Sequence, residues 1–212
     1  MSSVKDTRNS LQAFFNDRAI VHGPVFQSVD WNSVDRQTCI FQQLLRVWQH
    51  KHMPASVLDY GCGYGALLDY ILADDYALES YTGYDFSSSM IVNAKASHET
   101  IDSYGFTDDY NTLTDKFFDY VIASGVLSMK FLCDVSEWED HCFNVVSELW
   151  RLSRKGIAFN CLTTYSDQDK VRNDLFYADP CRFFDFCKRN LSRNVALLHD
   201  YEHYEFTILV RA

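Results

Sequence analysis

Asp59, Gly61, Gly63 and Gly65 are the residues of this chain whose types and spacing best suit ligand binding. They follow a short apolar run and precede an apolar helical pattern, which predicts a strand, a tight turn and a helix N-terminus. Glycine lets the backbone turn sharply and lets a ligand approach where a Cβ would collide. Because free N–H groups at the start of the helix face the turn, this unit is typical of folds that bind nucleotides.

A second carboxylate ends the next predicted strand, Tyr81 to Asp85. Asp85 lies about 20 residues past the last glycine, where an acid that binds ribose is expected. A carboxylate only accepts hydrogen bonds, so it can bind both ribose hydroxyls as donors. Phe86 follows, and it either packs against an adenine ring or belongs to the core.

The glycine spacing alone leaves two classes of nucleotide site open. Gly61, Gly63 and Ala66 also satisfy the looser G-x-G-x-x-[G/A] dinucleotide pattern. A nicotinamide- or flavin-binding oxidoreductase is therefore one hypothesis, although no substrate domain is recognisable after the nucleotide-binding unit.

Three stretches resemble motifs of the class I S-adenosylmethionine-dependent methyltransferases. Asp59-x-Gly61-x-Gly63-x-Gly65 is similar to motif I, Gly83 to Met90 resembles the "GxDxSxxM" stretch, and Phe118 to Val126 is similar to the fourth-strand motif. The resemblance implies that S-adenosylmethionine is the cofactor, and it implies a set of donor-binding residues. These are Asp59, Gly61, Cys62, Gly63, Asp85, Phe86 and Ser124.

The resemblance also implies roles within this site. Gly61 and Gly63 would cradle the methionyl part of the donor with backbone groups. Ser124 would lie beside the sulfur, since ligands in such folds bind beyond the carboxyl ends of the strands. Family members usually carry an acid after strand three that meets the adenine amino group, and here Asp108 and Asp109 are both available.

The implied reaction is an in-line displacement in which a nucleophile of the acceptor takes the methyl group. Orientation of two reactants can supply roughly 7–11 kcal/mol, so no metal or covalent intermediate is needed and no catalytic residue is assigned. Histidines are the candidates for a general base because imidazole titrates near neutral pH, although each is more often structural. They are His22, His98, His141, His199 and His203.

The acceptor is expected to be a small molecule. Ser124-Gly125-Val126 replaces the Asn/Asp-Pro-Pro-Tyr signature of methyltransferases that act on amino groups of nucleic acids and proteins. A net charge of −10 also disfavours binding to a phosphate backbone. A third hypothesis is a non-catalytic, S-adenosylmethionine-binding partner subunit, because neither a base nor an acceptor pocket is assigned.

These sites require an α/β fold, namely a Rossmann-like, doubly wound sheet of seven strands with helices on both faces. One strand is expected to be antiparallel, because a short turn joins the last two, Val195 to Leu198 and Phe206 to Val210. Residues 1–53 are predicted to form an N-terminal helical cap and residues 54–212 the methyltransferase domain.

Capping residues predict several helix ends. Ser33 and either Ser87 or Ser88 are expected to begin helices, and Asp179 precedes Pro180 at the first position of another. Ser136 has capping-box spacing to Glu139, and Gly156 is expected to end the helix that they begin.

The composition indicates the number of domains and the cellular compartment of the protein. The 47% of hydrophobic residues suffices for the core of one domain. Seven cysteines, an odd number without a C-x-x-C pair, favour a reducing compartment, so a cytoplasmic location is expected. The chain shows no signal-like or membrane-spanning run, so no membrane partner is expected, and the oligomeric state is open.

Overall fold

A single mixed β-sheet organises the chain, and the computed structural model describes residues 3–98, 103–114 and 116–212 of it. The strands are β1 (Ala55–Tyr60), β2 (Leu78–Tyr84), β3 (Tyr104–Thr107), β4 (Phe118–Ala123), β5 (Ser153–Thr163), β6 (Tyr177–Ala178), β7 (Asn194–Leu198) and β8 (Glu205–Arg211). Seven of them lie side by side in the order β3-β2-β1-β4-β5-β8-β7, and β6 pairs with the end of β5.

Strand directions agree with the sequence. β1 pairs in parallel with β2 and β4, whereas β8 is antiparallel to both of its neighbours, β5 and β7. The predicted antiparallel strand is therefore confirmed. The eighth strand, β6, was not predicted, because two residues are too short to show a periodic pattern.

Among the described residues, six α-helices surround the sheet: α1 (Val4–His22), α2 (Val34–Leu45), α3 (Ala66–Ala73), α4 (Ser88–Ser97), α5 (Val135–Leu152) and α6 (Pro180–Asn190). Apolar residues of α2 and α3, such as Leu44 and Leu68, pack in one core cluster with the sheet. Residues of α5 and α6, such as Leu149 and Phe183, pack in a second. Helices thus cover both faces, as a doubly wound sheet requires.

Three predicted helix starts are confirmed by side-chain caps. The Ser33 hydroxyl accepts from the Arg36 N–H at the start of α2, and the Ser87 hydroxyl accepts from the Met90 N–H at the start of α4. Asp179 caps α6, whose first residue is proline. Each cap satisfies a backbone donor that the first helical turn leaves free.

The predicted ends of α5 are wrong at both sides. Asp134 caps the helix instead of Ser136, because its carboxylate accepts from the backbone N–H of Ser136 at 2.8 Å. The helix ends at Leu152 and not at Gly156, because the chain already pairs with β4 from Ser153 onward. A Cβ at Gly156 would lie 2.5 Å from the Val210 carbonyl oxygen, so this glycine permits close strand pairing.

The N-terminal helices lie over the carboxyl ends of the central strands. α1 is longer than expected, with 19 residues, and it packs on α4 and on a 3₁₀ helix at Phe26–Val29. Leu11 of α1 and Ile40 of α2 belong to the two core clusters. The division at residue 54 stays a prediction. Among the described residues, no helix is both long and apolar enough to cross a membrane.

Candidate functional site

A deep cleft opens where β1, β2 and β4 end, beneath α1, the 3₁₀ helix and α2. It measures about 780 Å³, counting the part open to solvent. Six of the seven residues predicted to bind the donor line it: Asp59, Gly61, Cys62, Asp85, Phe86 and Ser124. Gly63 does not line the cleft, but its backbone N–H donates a hydrogen bond to Asp85, which does. The structure therefore brings the predicted residues together, while their binding of a donor stays a prediction.

The glycine bend has a backbone that other residues would strain. Gly61 and Gly63 adopt φ values of +82° and +53°. A Cβ on Gly61 would lie 2.2 Å from Val126 Cγ1, and one on Gly63 would lie 2.6 Å from Val29 Cγ1. Only glycine fits at either position, and the two valine side chains cover the bend.

Asp85 faces the cleft with both carboxylate oxygens already hydrogen-bonded. Oδ2 accepts from the Gly63 N–H at 2.9 Å and Oδ1 from the Ser87 N–H at 2.8 Å. Burial raises its pKa from 3.8 to about 6, although these two donors oppose the rise. Each carboxylate oxygen can accept more than one hydrogen bond, so two hydroxyl donors can still be added.

Asp59 is the second buried acid of the cleft. The hydroxyl of Tyr81 donates to its Oδ2 at 2.6 Å. Burial raises the pKa of Asp59 to about 7, the Tyr81 hydroxyl lowers it, and the nearby Asp85 raises it further. The cleft therefore carries two carboxylates whose charge changes close to neutral pH.

Ser124 and Phe86 offer contrasting contacts at the cleft wall. The Ser124 hydroxyl oxygen is buried and has no hydrogen-bond partner among the described residues. A buried hydroxyl without a partner is costly, so it marks a place where a ligand atom fits. The Phe86 ring packs edge-on against Phe15 of α1, 6.2 Å between ring centres. One part of the Phe86 ring therefore contacts the cap, and another part faces the cleft.

The Cys62 thiol belongs to the interior as much as to the cleft. Its sulfur lies 2.9 Å from the position that a Cβ on Gly83 would take. Burial, together with Asp59 and Asp85, raises the pKa of this thiol far above its usual range. Cys62 is consequently neutral and contributes its backbone and an apolar side chain to the site.

The structure does not decide which acid, Asp108 or Asp109, would bind the adenine amino group. Asp109 Oδ1 accepts from the backbone N–H of Asn111 at 3.0 Å and caps a short 3₁₀ helix. Neither Asp108 nor Asp109 is among the described residues that line the cleft, so the choice between them stays open. A neighbouring cavity of about 530 Å³ shares Gly61, Phe86 and Val126 with the cleft.

Comparison with known proteins identifies the family. A family model described as "Methyltransferase domain" matches residues 58–148. The Mycobacterium tuberculosis (strain ATCC 25618 / H37Rv) protein named "Putative methyltransferase Rv1506c" is 47% identical over 158 residues, which span 74% of this chain and 93% of that protein. The chain belongs to the class I S-adenosylmethionine-dependent methyltransferases. Membership of this family, whose methyl donor is S-adenosylmethionine, decides against the oxidoreductase hypothesis.

Solved structures show the same fold. The magnesium protoporphyrin IX methyltransferase of Synechocystis PCC 6803 with bound SAH has a TM-score of 0.68 at 15% identity, covering 96% of this methyltransferase and 99% of that chain. The DhpI-SAM-HEP complex has a TM-score of 0.66 at 13% identity, covering 99% of both chains. Human N-acetylserotonin methyltransferase with SAM has a TM-score of 0.64 at 14% identity, covering 99% of this chain and 60% of that one.

The cap supplies cleft residues of the methyltransferase that the sequence did not assign individually to the site. Val29 and Trp31 line the cleft from the link between α1 and α2, and Gln37 does so from α2. Gln37 accepts from the Tyr64 hydroxyl at 3.0 Å, which connects the cap to the glycine bend. The unusual tryptophan in a polar link was the one local signal for this contribution.

A second cavity continues from the cleft on the far side of Gly125. It measures about 1090 Å³, counting the part open to solvent, and it shares Trp31, Gly125 and Met129 with the cleft. Arg36 and Glu205 form a partly buried ion pair at 2.7 Å in its wall. No histidine is among the described residues that line it, so the histidine candidates for a general base lie elsewhere.

Proposed function

We propose that this methyltransferase transfers the methyl group of S-adenosylmethionine to a small-molecule acceptor by direct in-line displacement. The observation that carries the proposal is the meeting of two cavities at Gly125, Trp31 and Met129. The donor occupies the cleft above the glycine bend, and the acceptor occupies the second cavity. Transfer in line requires donor and acceptor on opposite sides of the methyl group, which two adjoining cavities permit.

Features of the cleft fit the donor. Asp85 has acceptor capacity for ribose hydroxyls, and the unpartnered Ser124 hydroxyl lies at the end of β4. When bound, the donor supplies an already activated methyl group on a positively charged sulfur. Val29 and Val126 lie against the bend, so we expect both to give way when the methionyl part enters.

The seven donor-binding residues promote the reaction by holding the donor in a fixed orientation. Gly61, Cys62 and Gly63 present the bend, while Asp59 and Asp85 place negative charge near the cationic donor. Phe86 offers a ring edge for adenine. Orientation of this kind can supply roughly 7–11 kcal/mol of the barrier, so the residues need not react themselves.

The acceptor cavity favours a small molecule. The cap residues Val29, Asp30 and Trp31 form one wall of it. The structural neighbours named for magnesium protoporphyrin IX and N-acetylserotonin support this class of acceptor. Residues 1–53 would then act as a cap that contributes to both cavities.

Isotope-labelled S-adenosylmethionine tests the proposal. The enzyme is incubated with labelled donor and the low-molecular-mass fraction of a cell extract, and products are analysed by mass spectrometry. We expect at least one labelled small molecule that is absent with the Asp85→Asn variant. Donor binding by calorimetry without any labelled product would overturn the proposal and favour the non-catalytic subunit.

A further inference from the structure

We propose that Glu205 accepts the proton of the methyl acceptor, so that the acceptor reacts through a protic nucleophile, a hydroxyl or an amine. The inference rests on the proposed function, because it places the acceptor in the second cavity. Glu205 opens β8 and lines that cavity with only 5% of its surface exposed. A general base must lie within hydrogen-bond reach of the proton that it removes.

A chain of side chains connects Glu205 to the reaction centre. Asn160 Oδ1 accepts from the Gly125 N–H at 2.8 Å, directly after the strand that bears Ser124. Asn160 Nδ2 faces Glu205 Oε2 at a long 3.5 Å. Arg36 binds the other oxygen, Oε1, at 2.7 Å. One carboxylate oxygen is therefore held in place, while Oε2 has only a weak partner and can accept from a ligand.

Asp30, the other acid that lines the second cavity, is less suited to act as the general base. Asp30 pairs through Oδ1 with Arg18 at 3.3 Å and through Oδ2 with Arg172 at 4.0 Å. Both of its oxygens therefore already face cations.

Tyrosine hydroxyls of the cavity are also engaged. Tyr204 donates to Asp167, and the Tyr177 hydroxyl donates to the Lys170 carbonyl oxygen at 3.3 Å. The described lining contains no histidine. Glu205 is thus the group in this cavity that combines burial with a weakly occupied acceptor atom.

Burial and the neighbouring groups act on the pKa of Glu205 in opposite directions. Burial raises its pKa, whereas Arg36, His203 and Asn160 lower it. Three further titratable groups lie close enough to interact with it, namely Cys39, Cys161 and Tyr201. Efficient proton transfer requires a base whose proton affinity is neither very low nor very high at the working pH.

The step balances without any further reactant. A lone pair of the acceptor's oxygen or nitrogen forms the new bond to the methyl carbon. The bond between that carbon and sulfur breaks, and its electron pair stays on sulfur, which becomes a neutral thioether. The proton of the nucleophile goes to Glu205 Oε2, and the carboxylic acid so formed returns it to water after product release.

The test compares four variants: Glu205→Gln, Glu205→Asp, Arg36→Gln and the matched control Glu202→Gln, which changes an exposed acid of the preceding loop. The probe is labelled S-adenosylmethionine with the low-molecular-mass fraction of a cell extract, and the initial rate of labelled product is followed against pH. Calorimetry with unlabelled donor checks the fold and the donor site of each variant.

We expect Glu205→Gln to slow product formation by about 100- to 10,000-fold and to abolish the acidic limb of the pH profile. Glu205→Asp should recover part of the rate, and Glu202→Gln should match the wild type. Arg36→Gln removes a cation that lowers the pKa of Glu205, so its acidic limb should move to higher pH. A purely structural role predicts no such movement.

Three results would count against the proposal. If Glu205→Gln keeps its rate within about threefold and keeps the acidic limb, Glu205 is not the proton acceptor. If the wild type binds donor but labels nothing, the proposed function fails and this inference fails with it. If Glu205→Gln does not fold, the double variant Arg36→Gln/Glu205→Gln removes the buried pair without leaving one charge unpaired. A double variant that reacts like the wild type would then overturn the proposal.

Discussion

Asp85→Asn should separate donor binding from fold stability. The pKa of Asp85 is raised from 3.8 to about 6 in the folded protein, chiefly by burial. The folded state therefore holds the proton more tightly than the unfolded chain. The stability from this group is fully present below pH 3.8 and is lost as the pH rises through about 6.

The magnitude follows from that rise. About two pKa units at 1.36 kcal/mol each mean that ionised Asp85 costs roughly 3 kcal/mol of stability at about pH 8. Asparagine removes this cost but leaves one backbone N–H, of Gly63 or Ser87, without an acceptor, which costs about 1–3 kcal/mol. The two effects nearly offset, so the free energy of unfolding should change by no more than about 2 kcal/mol.

Donor affinity should fall much more. Hydrogen bonds to a charged partner are worth roughly 1.5–3 kcal/mol, so Asp85→Asn should weaken S-adenosylmethionine binding by about 10- to 100-fold. Calorimetric titration measures the affinity, and urea unfolding measures the stability. Asp179→Asn is the matched control, because it changes another acid that accepts backbone N–H groups but lies at the start of α6. An Asp85→Asn variant that binds donor as tightly as the wild type would refute the reasoning.

Three further predictions concern the same cleft. S-adenosylmethionine should bind more weakly at about pH 5.5 than at about pH 8. The reason is that Asp59 and Asp85, with pKa values of about 7 and about 6, lose their negative charge as the pH falls. Equal affinities at the two pH values in titration calorimetry would contradict this prediction. Gly61→Ala should cost at least about 1–3 kcal/mol in urea unfolding, from a φ of +82° and a Cβ 2.2 Å from Val126 Cγ1, and adding Val126→Ala should restore only the steric part. Asp59→Asn should raise the free energy of unfolding by about 4 kcal/mol at about pH 8 and by roughly 1–2 kcal/mol at about pH 5, since a pKa raised from 3.8 to about 7 makes ionised Asp59 costly in the folded protein; a gain that does not grow with pH would argue against that pKa.

Local sequence patterns were enough to predict the main strands and helices of the fold. The bend at Gly61 and the acid at Asp85 follow strands whose apolar runs are visible in the sequence, and Ser33 and Ser87 cap helices as predicted. The start of α5 could not be read in this way, because Asp134 and the hydroxyl of Ser136 compete for the same capping role. Only the structure shows which oxygen receives the backbone N–H groups.

The rest of the site depends on contacts between distant parts of the chain. Val29 and Val126 reach the glycine bend from separate segments, and no local pattern reveals such an approach. Arg36 and Glu205 stand 169 positions apart. Their pairing arises when α2 packs beside the β5–β8 end of the sheet, so the acceptor cavity could not be assigned before the fold was known.

A crystal structure with S-adenosylhomocysteine, the demethylated donor, tests the central claim most directly. The account predicts the ribose hydroxyls within hydrogen-bond distance of Asp85, the methionyl part above Gly61 and Gly63, and the side chains of Val29 and Val126 withdrawn from the bend. Density for the ligand away from this cleft, with both valines still against the glycines, would contradict it.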